Sequence, residues 1–384
     1  MKGRTSAFIT GMAVSVIFVA SLWLPTVDNC FNIAPSLTGN EKSRLSMLPE
    51  LRLDPKSIAD FYYKFEKYFI VKFGLRDALI RWNSLLKLKL LKINEFPKVL
   101  VGQDDWLYLI QDDEGNNALD YYRVTRPFAG DREIAEWVRP LVEVKNYCDK
   151  KGIRFVVAIA PMKTRIYPEY IPRYLEPLRK KTRLDQLKEY LDRRGVIDCV
   201  DMGEAVLEGK KDYIVFLKYD VHWNGYGAFF GYRMLAEKLA RLCPRIVPKA
   251  IGEYVTESGE LPGGDLASML GLKDMFSEMV YLLKPKFNAR AQRHPVPYPV
   301  ASSRLSELYE TGVPALPRAV VYHDSFFNLM KLYLPEHFSR IACFQSYNRI
   351  DLSILDIERP DIVIYEMAES FIQKSPAYVT PMYK

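Results

Sequence analysis

The stretch IRFVVAIAP, residues 153–161, is a largely apolar run that follows Gly152 and ends at Pro161. A short and continuous apolar run bounded by turn residues is typical of a strand that is buried on both faces of a parallel sheet. The preceding segment, AEWVRPLVEVKNYCDKKG at residues 135–152, has apolar residues at helical spacing and ends at a glycine. It therefore predicts an amphipathic helix that leads directly into the strand.

The same alternation of helix and strand recurs along the chain. A basic helix from Thr182 to Arg194 leads into the strand VIDCVDM, and a helix is expected from about Gly225 to Leu242. The stretch from Pro244 to Pro317 is rich in turn residues and predicts few long elements. Regular alternation then returns in RAVVYHD (strand), SFFNLMKLYLPEHF (helix), SRIACFQS (strand), DLSILDIERP (helix) and DIVIYEM (strand). This order predicts an α/β fold with a doubly wound, mostly parallel sheet, whose ligand site lies at the carboxyl ends of the strands.

The N-terminus predicts a membrane anchor over residues 1–25. Lys2 and Arg4 precede an apolar run from Ala7 to Leu24, and eighteen helical residues span about 27 Å, close to the thickness of a bilayer's hydrocarbon core. The basic flank should stay in the cytoplasm, which places the rest of the chain on the periplasmic side of the inner membrane. A cleaved signal peptide is the alternative, although the segment lacks a clear small-x-small cleavage site.

Residues 26–96 predict a juxtamembrane helical segment, and residues 97–384 a main domain. Within the former, DPKSIADFYYKFEKYFIVKFGLRDALIRWNSLLKLKLLKIN (54–94) should form two helices divided at Gly74. Their apolar face is expected to pack on the main domain, with a membrane-embedded partner as the alternative. The main domain begins with KVLVGQDDWLYL, which predicts two short strands.

Composition narrows the class of function. The chain carries 54 basic and 47 acidic residues, a net charge of +7 that is spread along its length without a dense basic stripe, so nucleic acid is not an expected partner. The five cysteines form no C-x-x-C pair and no cluster with histidine, which argues against a structural zinc site.

Two segments together could carry nucleophilic chemistry. In KYDVHWN (218–224), Asp220 and His222 are two residues apart, so in an extended segment both side chains lie on one side of the chain. Ser325 follows the predicted strand RAVVYHD on a strand-to-helix turn. A serine needs a base within hydrogen-bond reach, and a carboxylate can orient that base. Asp324 and Ser325 are also ordinary residues for the start of a helix, and an acid near a histidine is common by chance.

These residues resemble the D-x-H-W and D-S-F signatures of the SGNH-hydrolase-like, AlgJ/AlgX-type O-acetyltransferases of bacterial exopolysaccharides. The resemblance covers roughly residues 45–372 and includes further blocks in the family's order: FEKYFIVKFGLRDALIRWNSLLK, KVLVGQDDWLYL, GIRFVVAIAPMKTRIYPEYIP, TRLDQLKEYL, GGDLASMLGL and ERPDIVIYEMAE. It implies an SGNH-hydrolase-like catalytic domain at residues 97–384, with acid, base and serine in a circularly permuted order along the chain.

The resemblance implies roles for the three residues, with Ser325 as the nucleophile that accepts the acetyl group, His222 as the general base and Asp220 as the acid that orients it. It implies acetyl transfer to hydroxyls of a secreted polysaccharide, with a multi-spanning membrane acyltransferase as donor partner and with no metal or organic cofactor. Alginate gives the family its name, but the polymer is not fixed by the resemblance. A carbohydrate acetyl-esterase with the same triad and a non-catalytic scaffold or polysaccharide-binding subunit remain alternatives.

Four further residues are candidates for substrate binding, each with a structural alternative. Trp223 could stack on a sugar ring or pack against the following helix, and Lys163 and Tyr167 could bind sugar groups or anchor their loop. Glu366 could border the site or be a solvated or salt-bridged acid. His323 stands where many SGNH enzymes have glycine, and is either a second proton carrier or a space-filling residue. The Ser325 N–H is the one oxyanion donor that the sequence suggests.

Overall fold

A computed structural model of the chain describes residues 2–31, 48–50, 55–112, 115–300, 303 and 305–379. It contains two compact units, Met1–Asn94 with Ala267–Met275, and Glu95–Leu266 with Phe276–Lys384.

The first unit is helical. Its helices are α1 (Lys2–Phe31), α2 (Pro55–Lys72) and α3 (Arg76–Leu85), and a π-helical turn, Leu86–Leu91, continues α3. The part of α1 from Gly11 to Phe31, with a mean hydropathy of 1.6, is long and apolar enough to cross a membrane by length and composition. The predicted division at Gly74 is confirmed, because α2 ends and α3 begins on either side of it. Several apolar side chains of α2 and α3 are exposed, among them those of Tyr62 and Trp82.

The second unit is built on a seven-stranded sheet. Its strands in chain order, with those of the smaller sheets, are β1 (Val99–Val101), β2 (Leu107–Leu109), β3 (Arg154–Ala160), β4 (Asp198–Asp201), β5 (Tyr254–Pro262), β6 (Ser277–Pro285), β7 (Gln292–His294), β8 (Ser306–Glu310), β9 (Arg318–His323), β10 (Arg340–Gln345), β11 (Arg349–Asp351), β12 (Ile362–Ala368) and β13 (Ala377–Val379). Its helices are α4 (Ala118–Arg123), α5 (Asp131–Asp149), α6 (Lys163–Ile166), α7 (Arg183–Arg194), α8 (Gly203–Gly209), α9 (Gly225–Leu242), α10 (Asp265–Met269, which continues into the first unit), α11 (Phe327–Met330) and α12 (Leu352–Glu358).

The predicted α/β class is confirmed, and the sheet has two further, antiparallel strands at one edge. The sheet order is β4-β3-β12-β9-β10-β8-β7, in which the first five strands are parallel. The last two, β8 and β7, pair antiparallel. Both lie in the turn-rich stretch, for which the sequence predicted few long elements.

That stretch also contains a long hairpin that the sequence did not predict. Strands β5 and β6, nine residues each, pair antiparallel along their full length. Most of β5 is exposed, so it carries no apolar alternation from which a strand could be recognised.

The helix predicted over residues 325–338 is wrong in its length. Helix α11 has only four residues, and a separate 3₁₀ turn, Leu334–His337, follows it. Pro335 lies at the start of that turn, where its missing N–H and its ring would interrupt a continuous helix.

The sheet is covered on both faces, as its apolar strands require. In β9, Ala319 and Val321 belong to one apolar core and Val320 and Tyr322 to the other. Helix α9 contributes to the first core and α5 to the second. Because the five strands from β4 to β10 in the sheet order are parallel, their carboxyl ends meet at one edge, where β9 continues into Ser325.

Candidate active site

The structure brings together the three residues predicted to form the triad. The Oγ of Ser325 lies 2.8 Å from Nε2 of His222, and Nδ1 of His222 lies 2.7 Å from Oδ1 of Asp220. Ser325 and His222 are 103 positions apart in the chain. The side chains form one continuous chain of hydrogen bonds from the hydroxyl to the carboxylate, with the imidazole between them.

Both oxygens of the Asp220 carboxylate also accept from backbone N–H groups. The N–H of Asp265 donates to Oδ2 over 2.8 Å, and the N–H of His222 donates to Oδ1 over 3.0 Å. Gly264 is closely packed against the carboxylate, because a Cβ at that position would lie only 2.2 Å from Oδ2. The carboxylate is therefore held in one orientation by the turn that begins α10.

The segment before Asp220 is held by a buried ammonium group. Nζ of Lys163 donates to the carbonyl oxygens of Leu107 (2.7 Å), Leu217 (2.8 Å) and Lys218 (3.1 Å). Three acceptors use all three N–H bonds of a charged lysine. Burial lowers the pKa of Lys163 to about 7, although the charges of Asp220 and Glu278 oppose that shift.

Glu278, on β6, accepts hydrogen bonds from backbone N–H groups of the same segment. Its carboxylate accepts from the N–H of Lys218 (2.5 Å) and of Tyr219 (3.1 Å). A buried cation thus takes the carbonyl groups of this segment while a carboxylate takes its N–H groups. We call Lys163 and Glu278 the charge clamp.

The nucleophile turn, Asp324–Phe326, is held by a buried carboxyl pair. Oδ1 of Asp324 accepts from the N–H of Phe326 (2.8 Å), and Oδ2 accepts from the N–H of Ala368 (2.6 Å). The N–H of Asp324 in turn donates to Oε2 of Glu366 over 3.2 Å. Asp324 therefore joins the turn to the end of β12, and we call Asp324 and Glu366 the carboxyl pair.

Electrostatics at the triad favour an ion pair. Burial alone would lower the pKa of His222, but the hydrogen bond and charge of Asp220, with smaller effects of Asp265 and Asp324, raise it above its ordinary value. Burial would raise the pKa of Asp220, but the hydrogen bond and charge of His222 and the N–H groups that Asp220 accepts lower it. Asp220 is thus an anion that stabilises the protonated imidazole.

In the carboxyl pair, the pKa values of both acids are raised, unlike that of Asp220. Burial raises the pKa of Asp324 to about 6, against the opposing effect of the N–H groups of Ala368 and Phe326. Burial and the charge of Asp324 raise the pKa of Glu366 well above its ordinary value. Two buried carboxyls in contact cannot both be ionised at low cost, so Glu366 carries the proton at neutral pH.

The four predicted substrate-binding residues are all buried. The ring of Trp223 is fully buried, and its Nε1 donates to the carbonyl of Phe326 over 2.9 Å. The hydroxyl of Tyr167 accepts from the N–H of Val215 (3.1 Å), and its ring stacks on Trp106. Lys163 and Glu366 have the internal partners described above. Trp223, Lys163 and Tyr167 thus make internal contacts of the kind that their alternative interpretations predicted, whereas Glu366 is buried rather than solvated.

His323 is also internal. Its Nδ1 lies 2.6 Å from the carbonyl oxygen of Asp324, and its ring packs on Phe327 with the centroids 4.9 Å apart. Burial and the charge of Lys331 lower the pKa of His323 to about 3. It is therefore neutral at physiological pH and fills space beneath the turn.

One donor at the turn is unused. Among the residues that the structure describes, no acceptor lies within hydrogen-bond reach of the Ser325 N–H. This group adjoins the Ser325 hydroxyl and faces no competing partner, so it can stabilise an oxyanion that forms there.

A metal ion would compete with the triad. Ligand atoms of Asp220, His222 and Asp265 lie within 4.8 Å of one another. Because Nδ1 of His222 and Oδ1 of Asp220 already bind each other, a cation between them would replace the hydrogen bond that orients the imidazole.

Sequence reasoning did not assign roles to Asp324, Glu278 or Asp265. Asp324 adjoins the nucleophile, but an aspartate before a helix suggests only a cap. Glu278 lies in the hairpin that was not predicted. Asp265 lies in GGDLASMLGL, one of the blocks that carried the family resemblance, and that block was the available signal.

The chain is similar to several known proteins. The family model described as "SGNH hydrolase-like domain, acetyltransferase AlgX" matches residues 99–310, which include Asp220 and His222 and end before Ser325. The probable alginate O-acetylase AlgJ of Pseudomonas aeruginosa is 28% identical over 186 residues, which cover 48% of this chain and 44% of that protein. The AlgJ protein of Azotobacter vinelandii is 29% identical over 212 residues, covering 52% of this chain and 49% of that protein. The match thus spans about half the length of these relatives.

A solved structure shares the fold. Bacillus cereus PatB1 superposes with a TM-score of 0.52 at 16% identity, over 71% of this chain and 96% of PatB1. At that identity the likeness concerns the fold alone.

Proposed function

The chain belongs to the SGNH-hydrolase-like family of the acetyltransferase AlgX, and we propose that it is a membrane-anchored, extracytoplasmic O-acetyltransferase. Its substrate would be a hydroxyl group of a secreted polysaccharide. The observation that carries this proposal is the unbroken contact of Ser325, His222 and Asp220, with Ser325 Oγ 2.8 Å from His222 Nε2.

The proposed reaction has two steps through one intermediate. Nε2 of His222 takes the proton of Ser325 while Oγ attacks the acetyl carbonyl of the donor, and the oxyanion is stabilised by the Ser325 N–H. The C–O bond to the donor breaks, His222 returns its proton to the departing oxygen, and acetyl-Ser325 remains. A sugar hydroxyl then loses its proton to His222 and attacks this ester, which releases the acetylated sugar and restores the serine hydroxyl.

The apolar helix α1 supports an inner-membrane anchor with the second unit in the periplasm. Placement at that surface would suit delivery of acetyl groups by a multi-spanning membrane acyltransferase. The curated AlgJ relatives are named as alginate O-acetylases, which supports a polysaccharide acceptor.

The proposal is tested with full-length protein in detergent, a chromogenic acetyl ester as donor and a panel of oligosaccharides as acceptors. Acetylated sugar should form with wild-type protein and should be lost with Ser325→Ala or His222→Ala, because general-base assistance is worth about 10² to 10⁴ in rate. Free acetate without acetylated sugar would identify an esterase instead. Normal acetylation by folded Ser325→Ala protein would contradict the mechanism.

A further inference from the structure

The helices of the first unit expose a large apolar surface. The most exposed side chains include Leu90 (71%), Tyr62 (70%) and Trp82 (70%). In the segment α3 to Leu91, the exposed residues Trp82, Leu86 and Leu90 recur every four positions, so they lie along one side of the helix. Soluble monomers rarely expose contiguous apolar patches of this kind.

Helix α2 adds a row of aromatic rings. Phe61, Phe65, Phe69 and Phe73 follow one another at four-residue spacing, with neighbouring ring centroids 5.6, 6.3 and 5.6 Å apart. The exposed apolar side chains of α2, α3 and the residues that follow α3 form what we call the collar surface: Ile58, Tyr62, Tyr63, Phe65, Phe69, Ile70, Leu79, Trp82, Leu86, Leu90, Leu91 and Ile93.

Positive charge is concentrated in the same segment. Residues 55–94 contain nine lysines or arginines and three aspartates or glutamates, a net charge of +6, whereas all remaining residues together carry +1 of the total of +7. Lysines alternate with leucines in LLKLKLLK, residues 85–92. Aromatic and aliphatic residues interleaved with lysine are the signature of a segment that lies in a membrane interface.

The turn between α2 and α3 contacts the end of α1. The N–H of Leu75 donates to Oδ2 of Asp28 over 2.7 Å. Gly74 approaches the backbone of Pro25 so closely that a Cβ on Gly74 would lie 1.9 Å from the carbonyl oxygen of Pro25. Pro25 and Asp28 lie near the C-terminal end of the apolar helix. Helix α2 therefore ends, and α3 begins, beside the C-terminal end of the proposed anchor.

We propose that the collar surface lies in the outer interface of the membrane that holds α1, with its apolar side chains among the acyl chains and its lysines on anionic phospholipid headgroups. This inference rests on the proposed anchoring. A protein partner fits the surface less well, because lysine is depleted at the centres of protein interfaces, whereas lysines lie between the apolar residues in LLKLKLLK. The anionic headgroup matches the charge of residues 55–94.

The inference is tested in nanodiscs that contain the full chain, with a photo-crosslinking amino acid at position 82 or, as control, at Tyr174. Tyr174 is an exposed aromatic residue of the second unit. With discs of mixed phosphatidylcholine and phosphatidylglycerol, mass spectrometry should find phospholipid adducts at position 82 at a yield at least about tenfold above position 174, because an interfacial helix face is buried in lipid. Equal yields at both positions would overturn the proposal.

A second crosslinking experiment tests the contribution of the lysine charges. The variant Lys87→Gln/Lys89→Gln/Lys92→Gln should lose most of the adducts at position 82 in discs with phosphatidylglycerol, because each lysine adds to the attraction of an anionic surface. An unchanged yield would contradict the part of the proposal that concerns headgroups. Crosslinks from position 82 to a protein rather than to lipid, in native membranes, would show that a partner occupies the surface and would overturn the proposal.

Failure of the anchor gives a different result. If α1 does not insert, the chain will not co-elute with the discs at all, which contradicts the anchoring but leaves the acetyltransfer assay in detergent unaffected. A chain that co-elutes and gives no lipid adducts at position 82 contradicts the collar inference alone.

Discussion

The two halves of the candidate active site are held in place by opposite electrostatic arrangements. The segment that carries Asp220 and His222 is held by the charge clamp, in which Lys163 binds its backbone carbonyl groups and Glu278 binds its backbone N–H groups. The nucleophile turn is held by the carboxyl pair, two acids buried side by side.

This difference has a chemical consequence. In the charge clamp each charge matches the backbone dipoles it contacts, so replacing a charged member by a neutral one leaves polar groups without partners. In the carboxyl pair one member is already neutral, because burial and Asp324 raise the pKa of Glu366. A neutral isostere should therefore be tolerated at Glu366 but not at Lys163.

The largest loss of rate is expected from Asp220→Asn, which removes the anion that orients His222 and raises its pKa. The rate should fall by about 10² to 10⁴, since an amide cannot hold the imidazole in the same tautomer or stabilise its protonated form. Asp220 raises the pKa of His222, and only neutral His222 can act as base. The acidic limb of kcat/KM should therefore lie above pH 6.5 in wild-type protein and move to lower pH in the variant. A pH–rate profile checks this, and an unmoved limb would contradict the ion pair.

The next effect is that of Lys163→Met. Three carbonyl groups lose their donor, but the costly burial of an ammonium group is relieved, so the free energy of unfolding should fall by about 2 kcal/mol. The value of kcat should fall by about tenfold or more, with KM nearly unchanged, because the segment that carries the base loses its position. Chemical denaturation and steady-state kinetics measure both, with the exposed Lys211→Met as the matched control. Wild-type kcat in Lys163→Met would show that Lys163 does not position the segment that carries His222.

A similar loss of stability, with a smaller loss of rate, is expected from Asp324→Asn. The amide nitrogen would face the N–H of either Phe326 or Ala368, and one such unmatched contact costs about 1 to 3 kcal/mol. Thermal denaturation and the rate of acetyl transfer test this. Asp324→Asn protein with unchanged stability would show that Asp324 does not hold the turn as an anion.

The smallest effect is expected from Glu366→Gln. A glutamine has nearly the same shape as a protonated glutamic acid and can accept from the N–H of Asp324, so stability at neutral pH should change by less than about 0.5 kcal/mol. Comparing the stability losses of Asp324→Asn and Glu366→Gln shows which member of the carboxyl pair carries the proton. A larger loss from Glu366→Gln than from Asp324→Asn would place it on Asp324 and reverse the assignment.

Sequence reasoning identified the strands that support the site but not how the site is held. Strands β3, β9 and β12 were predictable because residues buried on both faces form uninterrupted apolar runs. The hairpin that supplies Glu278 was not predictable, because β5 is largely exposed and its sequence, YVTESGELP, is polar.

The triad was predicted from two short motifs, and the structure places those residues in contact. Lys163, Tyr167, Trp223 and Glu366 were considered for substrate binding because polar and aromatic residues near strand ends often face a ligand. Burial decides between that role and a structural one, and burial depends on packing by distant segments such as β6 and the turn at Gly264. Local sequence does not contain that information.

The proposed mechanism requires that Ser325 carry the acetyl group between donor and acceptor. The most direct measurement incubates the full-length protein with an activated acetyl ester, quenches the mixture and maps the modified peptide by mass spectrometry. One acetyl group should form on Ser325, disappear when an oligosaccharide acceptor is added, and form much more slowly in His222→Ala. Acetyl transfer to the acceptor without any acetyl-Ser325, or with the label on another residue, would contradict it.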